Sequence, residues 1–407
     1  MNTPAELRHW LSDHWDPELS LLQWRGRLAD AGWAFPAWPE QWCGRSLPPA
    51  EAASVARELA AAGVPGPPDG VGTVLAAPVV LEYGSDDLKR RLIRPTATGE
   101  VSWCQLFSEP GAGSDLASLS TRAEPGPDGW LVTGQKVWST GAATADYGLL
   151  LARTDAEVPK HEGITCFVLP MRQPGVVVRP LRQMNAHSSF NEVFLDGAFV
   201  PSQDLIGEPG VGWRVARTVL AHERRLQAQR PAAAPAGAAG RTWREAIAER
   251  IAASEPHKWY PQRAGRPDLV IEQARAMGMA ADPVIRQEIA KLLTLTWPAR
   301  WMVERFQAGW AAGQNPGPEG SLAKLASSRI ARQSARVHAM IAGTSGMLAG
   351  PDSPLGGVIA EIAVSVPAIS IAGGTDEIQR TIVAERILGL PREPDASVGV
   401  PFRHLAR

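Results

Sequence analysis

Residues 101–115, VSWCQLFSEPGAGSD, mark the point at which the sequence changes character, and the rest of the chain is best read outward from them. The first part is apolar and strand-like, and the second is a glycine-rich loop that ends in Ser114 and Asp115. Glycines let backbone N–H groups approach a ligand closely, and a row of free N–H groups suits an anion or the carbonyl groups of a heterocycle. The Walker pattern and the spacing of a dinucleotide fingerprint are both absent, so an ordinary glycine-rich turn stays an equal alternative.

Helical patterns precede this stretch, and strand patterns follow it. The segment PPAEAASVARELAAAG (48–63) has proline near its start and glycine at its end, and Ser85 with the acids after it is typical of a helix start. After residue 101, runs such as YGLLLAR (147–153) and ITCFVLP (164–170) recur at short intervals, and Asp128-Gly129 lies between two runs as a hairpin turn would. Short strands at this spacing predict a β-barrel or a sandwich.

Helical patterns return after the strands and continue to the end of the sequence. Two long amphipathic helices are predicted within residues 282–310 and 320–343, the first starting at Asp282-Pro283 and kinked or interrupted at Pro298. The order helix, sheet, helix predicts an α+β multidomain fold. Its expected parts are a helical N-terminal domain (1–100), a middle β domain (101–207) and a C-terminal helical domain (208–407).

Net charge, cysteine content and the distribution of apolar residues indicate which partners and which cellular compartment to expect. The formal net charge of −1 gives no overall attraction to nucleic acid or to an anionic membrane. The three cysteines, at 43, 104 and 166, show neither a metal-binding spacing nor a paired framework, which favours a reducing cytoplasm and predicts no metal site. The N-terminus lacks an apolar signal core, and no apolar run approaches the ~20 residues that span a bilayer. We therefore expect a cytoplasmic protein with neither nucleic acid nor membrane as a partner.

Two further stretches contain residues that local structure explains only in part. In IAGGTDEIQRTIVAERILGLPREP (371–394), Thr375 can cap a helix whose positive end suits Glu377, but the tandem Gly373 and Gly374 have no such explanation. In VTGQKVWSTG (132–141), Trp138 and Thr140 are two apart on a predicted strand and so face the same side. A tryptophan at such a place is more often part of a core than a cofactor platform.

Taken together, the stretches 103–115, 132–154, 190–201 and 371–394 resemble the acyl-CoA dehydrogenase family, in the same order and over almost the whole chain, and an actinobacterial-type branch is most similar. The resemblance implies a helical N-terminal domain, a middle β-barrel and a C-terminal four-helix bundle, usually in a dimer of dimers. It also implies FAD as cofactor, an acyl-CoA substrate oxidised in lipid metabolism (fatty acid β-oxidation), and an electron-transfer flavoprotein as electron acceptor.

The resemblance carries family roles onto residues that match the motifs. It implies that Gln105, Phe107 and Ser108 line the flavin ring, and that Ser114, beside Gly113 in the glycine-rich loop, touches flavin or the CoA arm. Three more kinds of flavin contact are implied. They are a tryptophan packed on the ring, a hydroxyl beside the reactive nitrogen and the C-terminal residues that meet FAD, which here match Trp138, Thr140 and the pair Thr375 and Glu377.

The position of the catalytic base departs from the commonest family pattern. Many members place a Glu just before the GT of the terminal motif, where this sequence has Gly373. A minority, including the isovaleryl and long-chain enzymes, place it on the first long helix after the barrel, where TVLAHERRLQ offers Glu223, followed by Arg224 as a candidate contact to the CoA thioester or phosphates. Burial must raise the pKa of such a base from its reference of about 4.3, against the neighbouring arginines. A solvated, arginine-paired Glu223 and a catalytic Glu377 are the alternatives.

A second departure concerns assembly. The RxxFG element, whose Arg reaches a neighbour's FAD pyrophosphate in the family, is absent from 271–292, and the glutamine expected before the turn after residue 342 aligns only loosely with Met340. A homomeric dimer or tetramer and the catalytic subunit of a heterotetramer with a related shorter chain are both open. A catalytically silent assembly subunit and a flavin oxygenase or nitroalkane oxidase are weaker alternatives. The acyl group, straight-chain, branched or sterol-derived, and the role of residues 231–268 cannot be read from the sequence.

Overall fold

The computed structural model describes residues 3–226, 239–311, 317–395 and 397–405. The chain forms two compact units. Unit 1 comprises Met1–Leu181, Ser188–Ala253 and Pro394–Arg407, and unit 2 comprises Arg182–His187 and Ser254–Glu393. Both units are therefore discontinuous in sequence: unit 1 consists of three segments and unit 2 of two.

The N-terminal part of unit 1 is helical, as predicted. Its helices are α1 (Thr3–His14), α2 (Leu21–Asp30), α3 (Pro49–Ala61), α4 (Ala77–Tyr83) and α5 (Asp86–Thr98). Helices α1, α2, α3 and α5 share a core that contains the buried side chains of Trp24, Leu28 and Trp33, whereas α4 packs in a second core with part of the sheet and the helix that follows it. The Ser85 hydroxyl accepts a hydrogen bond from the Leu88 N–H, which confirms the predicted cap of α5.

The middle of unit 1 is a single mixed sheet. Its strands are β1 (Trp103–Leu106), β2 (Arg122–Pro125), β3 (Gly129–Thr140), β4 (Tyr147–Arg153), β5 (Ile164–Pro170), β6 (Val176–Leu181), β7 (Phe190–Pro201) and β8 (Leu205–Ile206). The strand order is β6-β7-β3-β2-β4-β5-β8, and β1 pairs in parallel with β4. The antiparallel β2–β3 pair confirms the hairpin predicted at Asp128-Gly129. The buried strands β4 and β5 pack their side chains into cores on both faces of the sheet.

Two helices that follow the sheet also belong largely to unit 1. Helix α6 (Gly212–Leu226) buries Val215, Ala216 and Val219 in a core shared with α4 and β5. Helix α7 (Arg241–Ser254) lies on the N-terminal helices, where the Trp243 indole donates to the carbonyl of Gly63 at 2.8 Å. The domain boundaries expected at 100/101 and 207/208 stay predictions, and most of the loop predicted at 231–240 lies outside the described residues.

Unit 2 contains the remaining helices, which are α8 (Tyr260–Arg263), α9 (Val270–Ala276), α10 (Pro283–Ala311), α11 (Gly320–Ala342), α12 (Val358–Ser365) and α13 (Asp376–Arg386). The Asp282 carboxylate accepts from the N–H groups of Val284 and Ile285, which confirms the predicted start of α10. The expected interruption at Pro298 was wrong, because α10 continues through it. Pro298 and Thr294, four residues earlier, are both exposed, so water can satisfy the carbonyl that a proline leaves without its partner.

The segment after α13 returns to unit 1, which the sequence did not predict. The N–H groups of Phe402 and Arg403 donate to the carbonyls of Val158 and Ala156 at 2.9 and 3.1 Å. The Arg153 guanidinium lies 3.5 Å from the centre of the Phe402 ring. Within the described part of the chain, no helix has both the length and the apolar character that crossing a bilayer requires, and no cluster of three metal-ligating side chains occurs there.

Candidate flavin and acyl-CoA site

The glycine-rich loop contains two glycines, Gly111 and Gly113, at positions where the described structure would accept a larger residue. Glu109 and Ala112 exchange two backbone hydrogen bonds of 3.0 and 3.1 Å, which close a tight turn. At Gly111 and Gly113, neither residue has a left-handed φ, and an added Cβ would meet nothing within 4 Å among the described residues. Packing and backbone conformation therefore do not require these glycines, whereas close approach of a ligand to the backbone would.

The side chains around the end of β1 differ in orientation. Gln105 is half-buried and opposite Leu149 of β4, whereas the Phe107 ring is buried in the core shared with α4 and α6. Ser108 is half-buried, and its carbonyl accepts from the Val137 N–H at 2.9 Å. Ser114 is exposed in the loop. The side chains of Gln105, Ser108 and Ser114 are therefore accessible at least in part, whereas the Phe107 ring is buried, and the flavin contact expected of Phe107 stays a prediction.

Trp138 occupies an unusual backbone conformation at a bulge in β3. Its φ is 65°, in the left-handed region that bulky residues rarely adopt, and the β3–β7 register shifts between Lys136 and Ser139. The indole is 56% exposed although it contacts Phe190 edge-on, with ring centres 5.7 Å apart. Thr140 pairs with Phe190 in the ladder and is half-buried. An exposed aromatic face beside a hydroxyl is a fitting surface for a flat heterocycle.

A buried ion pair lies directly behind this surface, and the sequence analysis missed it. The Lys136 ammonium is inaccessible to solvent and lies 2.9 Å from a Glu109 carboxylate oxygen. Burial alone would raise the pKa of Glu109, but the charge of Lys136 and hydrogen bonds from Thr121, Lys136 and Ser120 lower it to about 2. Lys136 lies in β3 and Glu109 in the glycine-rich loop, 27 residues apart, so no local pattern in the sequence signals their pairing.

Glu223 lies on α6 in line with the buried face of that helix. It follows Val219 by four residues and Ala216 by seven, which is the spacing of one helix face. Gly212 fixes the start of α6 close to the sheet, because a Cβ there would lie 2.6 Å from the backbone of Thr165. Glu223 is half-buried and is the single acidic residue in α6. The side chain of Arg224 lies outside the described residues.

The turn before α13 explains the tandem glycines. Gly373 and Gly374 have φ values of +68° and +86°, both in the region where residues with a Cβ are strained. Thr375 then caps α13 by accepting from the Ile378 N–H, as predicted. Glu377 is exposed and pairs with Arg380 at 3.2 Å.

Asp376 is the buried acid of this turn and was not singled out from sequence. Its carboxylate lies 3.5 Å from Lys324 and 3.1 Å from Arg332. Burial opposes its ionisation, but the Ser328 hydroxyl and the two cations lower its pKa below the usual value. The Gln379 amide donates to the carbonyls of Gly373 and Gly374. These hydrogen bonds and the ion pairs of Asp376 both stabilise the turn.

The helix, sheet and helix order, with an open glycine loop and an exposed tryptophan on the sheet, agrees with the architecture that the resemblance to a family of flavin-dependent dehydrogenases implies. Comparison with protein families agrees. The descriptions "Acyl-CoA dehydrogenase, N-terminal domain", "middle domain" and "C-terminal domain" match residues 4–100, 104–198 and 270–388. The chain belongs to the acyl-CoA dehydrogenase family. The predicted family and fold class are thereby confirmed.

Individual relatives are consistent with this assignment. Acyl-CoA dehydrogenase FadE34 of Mycobacterium tuberculosis is 39% identical over 90% of this chain, which spans only 46% of FadE34, about half its length. Acyl-CoA dehydrogenase IpdE1 of the same organism is 32% identical over 96% of this chain and 97% of its own length. Among solved structures, the Tcur3481-Tcur3483 steroid ACAD is 25% identical with a TM-score of 0.65, over 96% of this chain and 97% of its own.

FAD is the cofactor of this family, and the residues of the present chain fit it. The open glycines 111 and 113 leave backbone accessible to a ligand, and the exposed Trp138 indole offers a stacking surface. Gln105, Ser108 and Thr140 are half-buried and carry neutral polar groups, which suit the carbonyls and nitrogens of a flavin. In unit 2, the turn Gly373–Thr375 precedes the N-terminus of α13, and a helix N-terminus suits a phosphate-bearing group.

Proposed function

We propose that this protein oxidises an acyl-CoA thioester to the trans-2-enoyl-CoA, with Glu223 as the base. The observation that carries the proposal is the pair of left-handed glycines at 373 and 374. A glutamate at 373, the commonest family position for the base, would be strained there. The base must then come from elsewhere, and Glu223 extends the inward face of α6.

The reaction divides between the cofactor and the chain. Bound FAD supplies the acceptor for the hydride that leaves the β-carbon of the substrate. Glu223 takes the α-proton onto its carboxylate, and the electron pair of that C–H bond becomes the new carbon–carbon double bond. A carboxylate performs this task when its surroundings exclude water, because desolvation brings its basicity toward the working pH. The half-buried position of Glu223 on a well-packed helix supports this role.

The remaining site residues bind and orient. Trp138 packs on the flavin ring, Thr140 places a hydroxyl at its reactive edge, and Gln105, Ser108, Gly113 and Ser114 bind along β1 and the glycine loop. Thr375 and Glu377 meet FAD at the start of α13, and Arg224 binds the CoA arm. Backbone N–H groups that polarise the thioester carbonyl would stabilise the enolate-like charge of the transition state.

The experiment is an anaerobic titration of the FAD-loaded protein with saturated acyl-CoAs that differ in shape: a straight chain, an α-branched chain and a steroid side-chain thioester. Bleaching of the visible flavin band, with enoyl-CoA found by mass spectrometry, is the expected result for one of them. A flavin that dithionite reduces but none of the acyl-CoAs bleaches would contradict the proposal.

A heteromeric form of the same activity is the second candidate, and a specific observation favours it. Residues 271–292 lack the RxxFG element, and the similar steroid ACAD is named for two chains, Tcur3481 and Tcur3483. In this form the present chain is the catalytic subunit, a related shorter chain completes the FAD site, and the substrate is a sterol-derived or branched thioester. An electron-transfer flavoprotein in the cytoplasm would be the acceptor of the electrons that the reaction leaves on FAD.

The two forms differ in the FAD content of the chain purified alone. A ratio of FAD to chain near one, on a dimer or tetramer by light scattering, supports the homomeric form. A ratio near zero that rises when a related shorter chain is co-expressed supports the heteromeric form. A ratio near zero that stays there with added FAD and with that partner would contradict both.

A further inference from the structure

The ion pair between Glu109 and Lys136 has no part in the reaction described above, yet every polar atom of it is engaged. One carboxylate oxygen of Glu109 accepts from Lys136 and from the Thr121 N–H, both at 2.9 Å. The other accepts from the Ser120 N–H at 2.7 Å and from the Ser120 hydroxyl at 2.9 Å. The Lys136 ammonium also donates to the carbonyl of Phe107 at 3.1 Å. A buried pair satisfied to this degree holds a fixed geometry.

These contacts tie together three separate stretches of unit 1. Phe107 and Glu109 begin the glycine-rich loop, Ser120 and Thr121 follow its end, and Lys136 lies in β3. The first and last of these stretches present Ser108 and Trp138, which form the two sides of the surface assigned to the flavin. The backbone hydrogen bond from the Val137 N–H to the Ser108 carbonyl joins the same two stretches, because these residues directly follow Lys136 and Phe107.

The pair also fixes one end of the bulge that contains Trp138. Lys136 is the last residue of β3 that pairs with β7 before the bulge, and the pairing resumes at Ser139, whose carbonyl accepts from the Asn191 amide at 2.9 Å. Trp138 thus lies between a residue anchored by the ion pair and a residue anchored by Asn191. A bulky residue at positive φ persists only where its surroundings determine the backbone on both sides.

We propose that Glu109 and Lys136 are positioning residues for the flavin, which hold Trp138 and Ser108 in the relative placement that the bound ring requires. This inference rests on the proposed function for its cofactor, but not on the identity of the base. Loss of the pair should shift the flavin-facing surface rather than remove any group that contacts substrate.

The test uses the double variant Glu109→Gln with Lys136→Met in the full chain. Either single change would leave a buried group without its partner, whereas the double change removes both charges and keeps similar shapes. We expect a folded protein that binds FAD, with an altered visible circular dichroism spectrum of the oxidised flavin. The rate of flavin bleaching at saturating acyl-CoA should fall at least about tenfold, because small displacements of reacting groups are costly.

A gentler variant covers the case in which the double variant does not fold. Ser120→Ala removes one hydrogen bond to Glu109 and leaves both charges in place. The matched control is Ser118→Ala, whose hydroxyl bonds to Asp115 in the same loop and does not contact the pair. We expect Ser120→Ala to shift the flavin spectrum in the same direction as the double variant, and Ser118→Ala to leave it unchanged.

Two results would overturn the inference. One is a folded double variant with the wild-type flavin spectrum and bleaching rate, which would make the pair a purely structural contact. The other is an equal spectral shift in Ser118→Ala and Ser120→Ala, which would assign the effect to the loop as a whole. The spectrum of oxidised flavin is recorded before any substrate is added, so the test remains decisive even if no acyl-CoA proves to be a substrate.

Discussion

Helix α6 and the turn at Gly373–Thr375 are two candidate places for the same chemical group, and the chain is built differently at each. On α6 an acid continues a helix face that is anchored in the core of unit 1. At the turn, two glycines with left-handed φ values precede a capped helix. The nearest buried acid, Asp376, forms ion pairs with Lys324 and Arg332. The difference is what we expect if the base of the proposed reaction lies on α6 and not at the turn.

The largest effect expected from this comparison is the loss of proton abstraction in Glu223→Gln. The amide keeps the size of the side chain but has no basic oxygen, so the rate of flavin bleaching should fall by about a hundredfold or more at an unchanged FAD content. Stopped-flow absorbance under anaerobic conditions measures it. Glu377→Gln is the matched variant at the turn, and a larger loss there than at Glu223 would reverse the assignment.

The second test asks whether a glutamate introduced at residue 373 can replace Glu223 as the base. Glu223→Gln combined with Gly373→Glu should remain as inactive as Glu223→Gln alone, and Gly373→Glu alone should lower the free energy of unfolding by about 1–2 kcal/mol because residue 373 has a φ of +68°. Urea unfolding and the bleaching rate give the two measurements. Recovery of bleaching in the double variant would show that the turn tolerates an acid and that the left-handed glycines do not exclude one.

Acid should weaken the part of unit 1 that holds the Trp138 surface. Because the pKa of Glu109 in the folded protein is about 2, below its unfolded value, its stabilising contribution is present above about pH 4.5 and declines as the pH falls toward 2. The contribution of Glu109 to the urea midpoint should therefore be steady between pH 7 and pH 5 and fall below pH 4.5. The double variant Glu109→Gln with Lys136→Met should lose this part of the acid dependence, and an identical decline in both proteins would exclude Glu109 as its source.

The smallest effect concerns the cap of α13. Thr375→Ala removes the hydroxyl that accepts from the Ile378 N–H and should cost about 1 kcal/mol of stability, with a modest loss of FAD affinity. Thr381→Ala is the control, since that hydroxyl bonds only to a carbonyl one turn earlier and is exposed. Equal losses of stability in the two variants would mean that the Thr375 cap does not stabilise α13 more than an ordinary exposed threonine does.

The sequence predicted what depends on local patterns. The caps at Ser85 and Thr375, the hairpin at Asp128-Gly129 and the start of α10 at Pro283 are all set by residues a few positions apart, and the structure confirms them. The family and the fold class followed from the resemblance of four stretches to known motifs. Alternation along β3 also placed Trp138 and Thr140 on the same, less buried face.

What the sequence did not predict depends on contacts between distant residues. The Glu109–Lys136 pair joins two stretches that are distant in sequence, and the positive φ of Trp138 is not signalled by a tryptophan in a strand-like run. Asp376 lies in the first turn of α13, where an acid is common, and its ion pair with Lys324 of α11 was not predicted. The association of α7 with the N-terminal helices depends on Trp243 and on an Arg25–Glu249 ion pair across 224 residues, which no local pattern encodes.

The return of residues 394–405 to unit 1 has a consequence for folding kinetics. The hydrogen bond from Phe402 to Val158 closes a loop of roughly 240 residues, and such long-range closures are slow because the chain entropy is lost before the contact is gained. During synthesis, the sheet can form as soon as β8 has left the ribosome, whereas the loop at Ala156–Val158, between β4 and β5, cannot accept these hydrogen bonds until all of unit 2 has been made. Unit 1 can therefore begin to fold before most of unit 2 is synthesised, but it cannot complete its folding until afterwards.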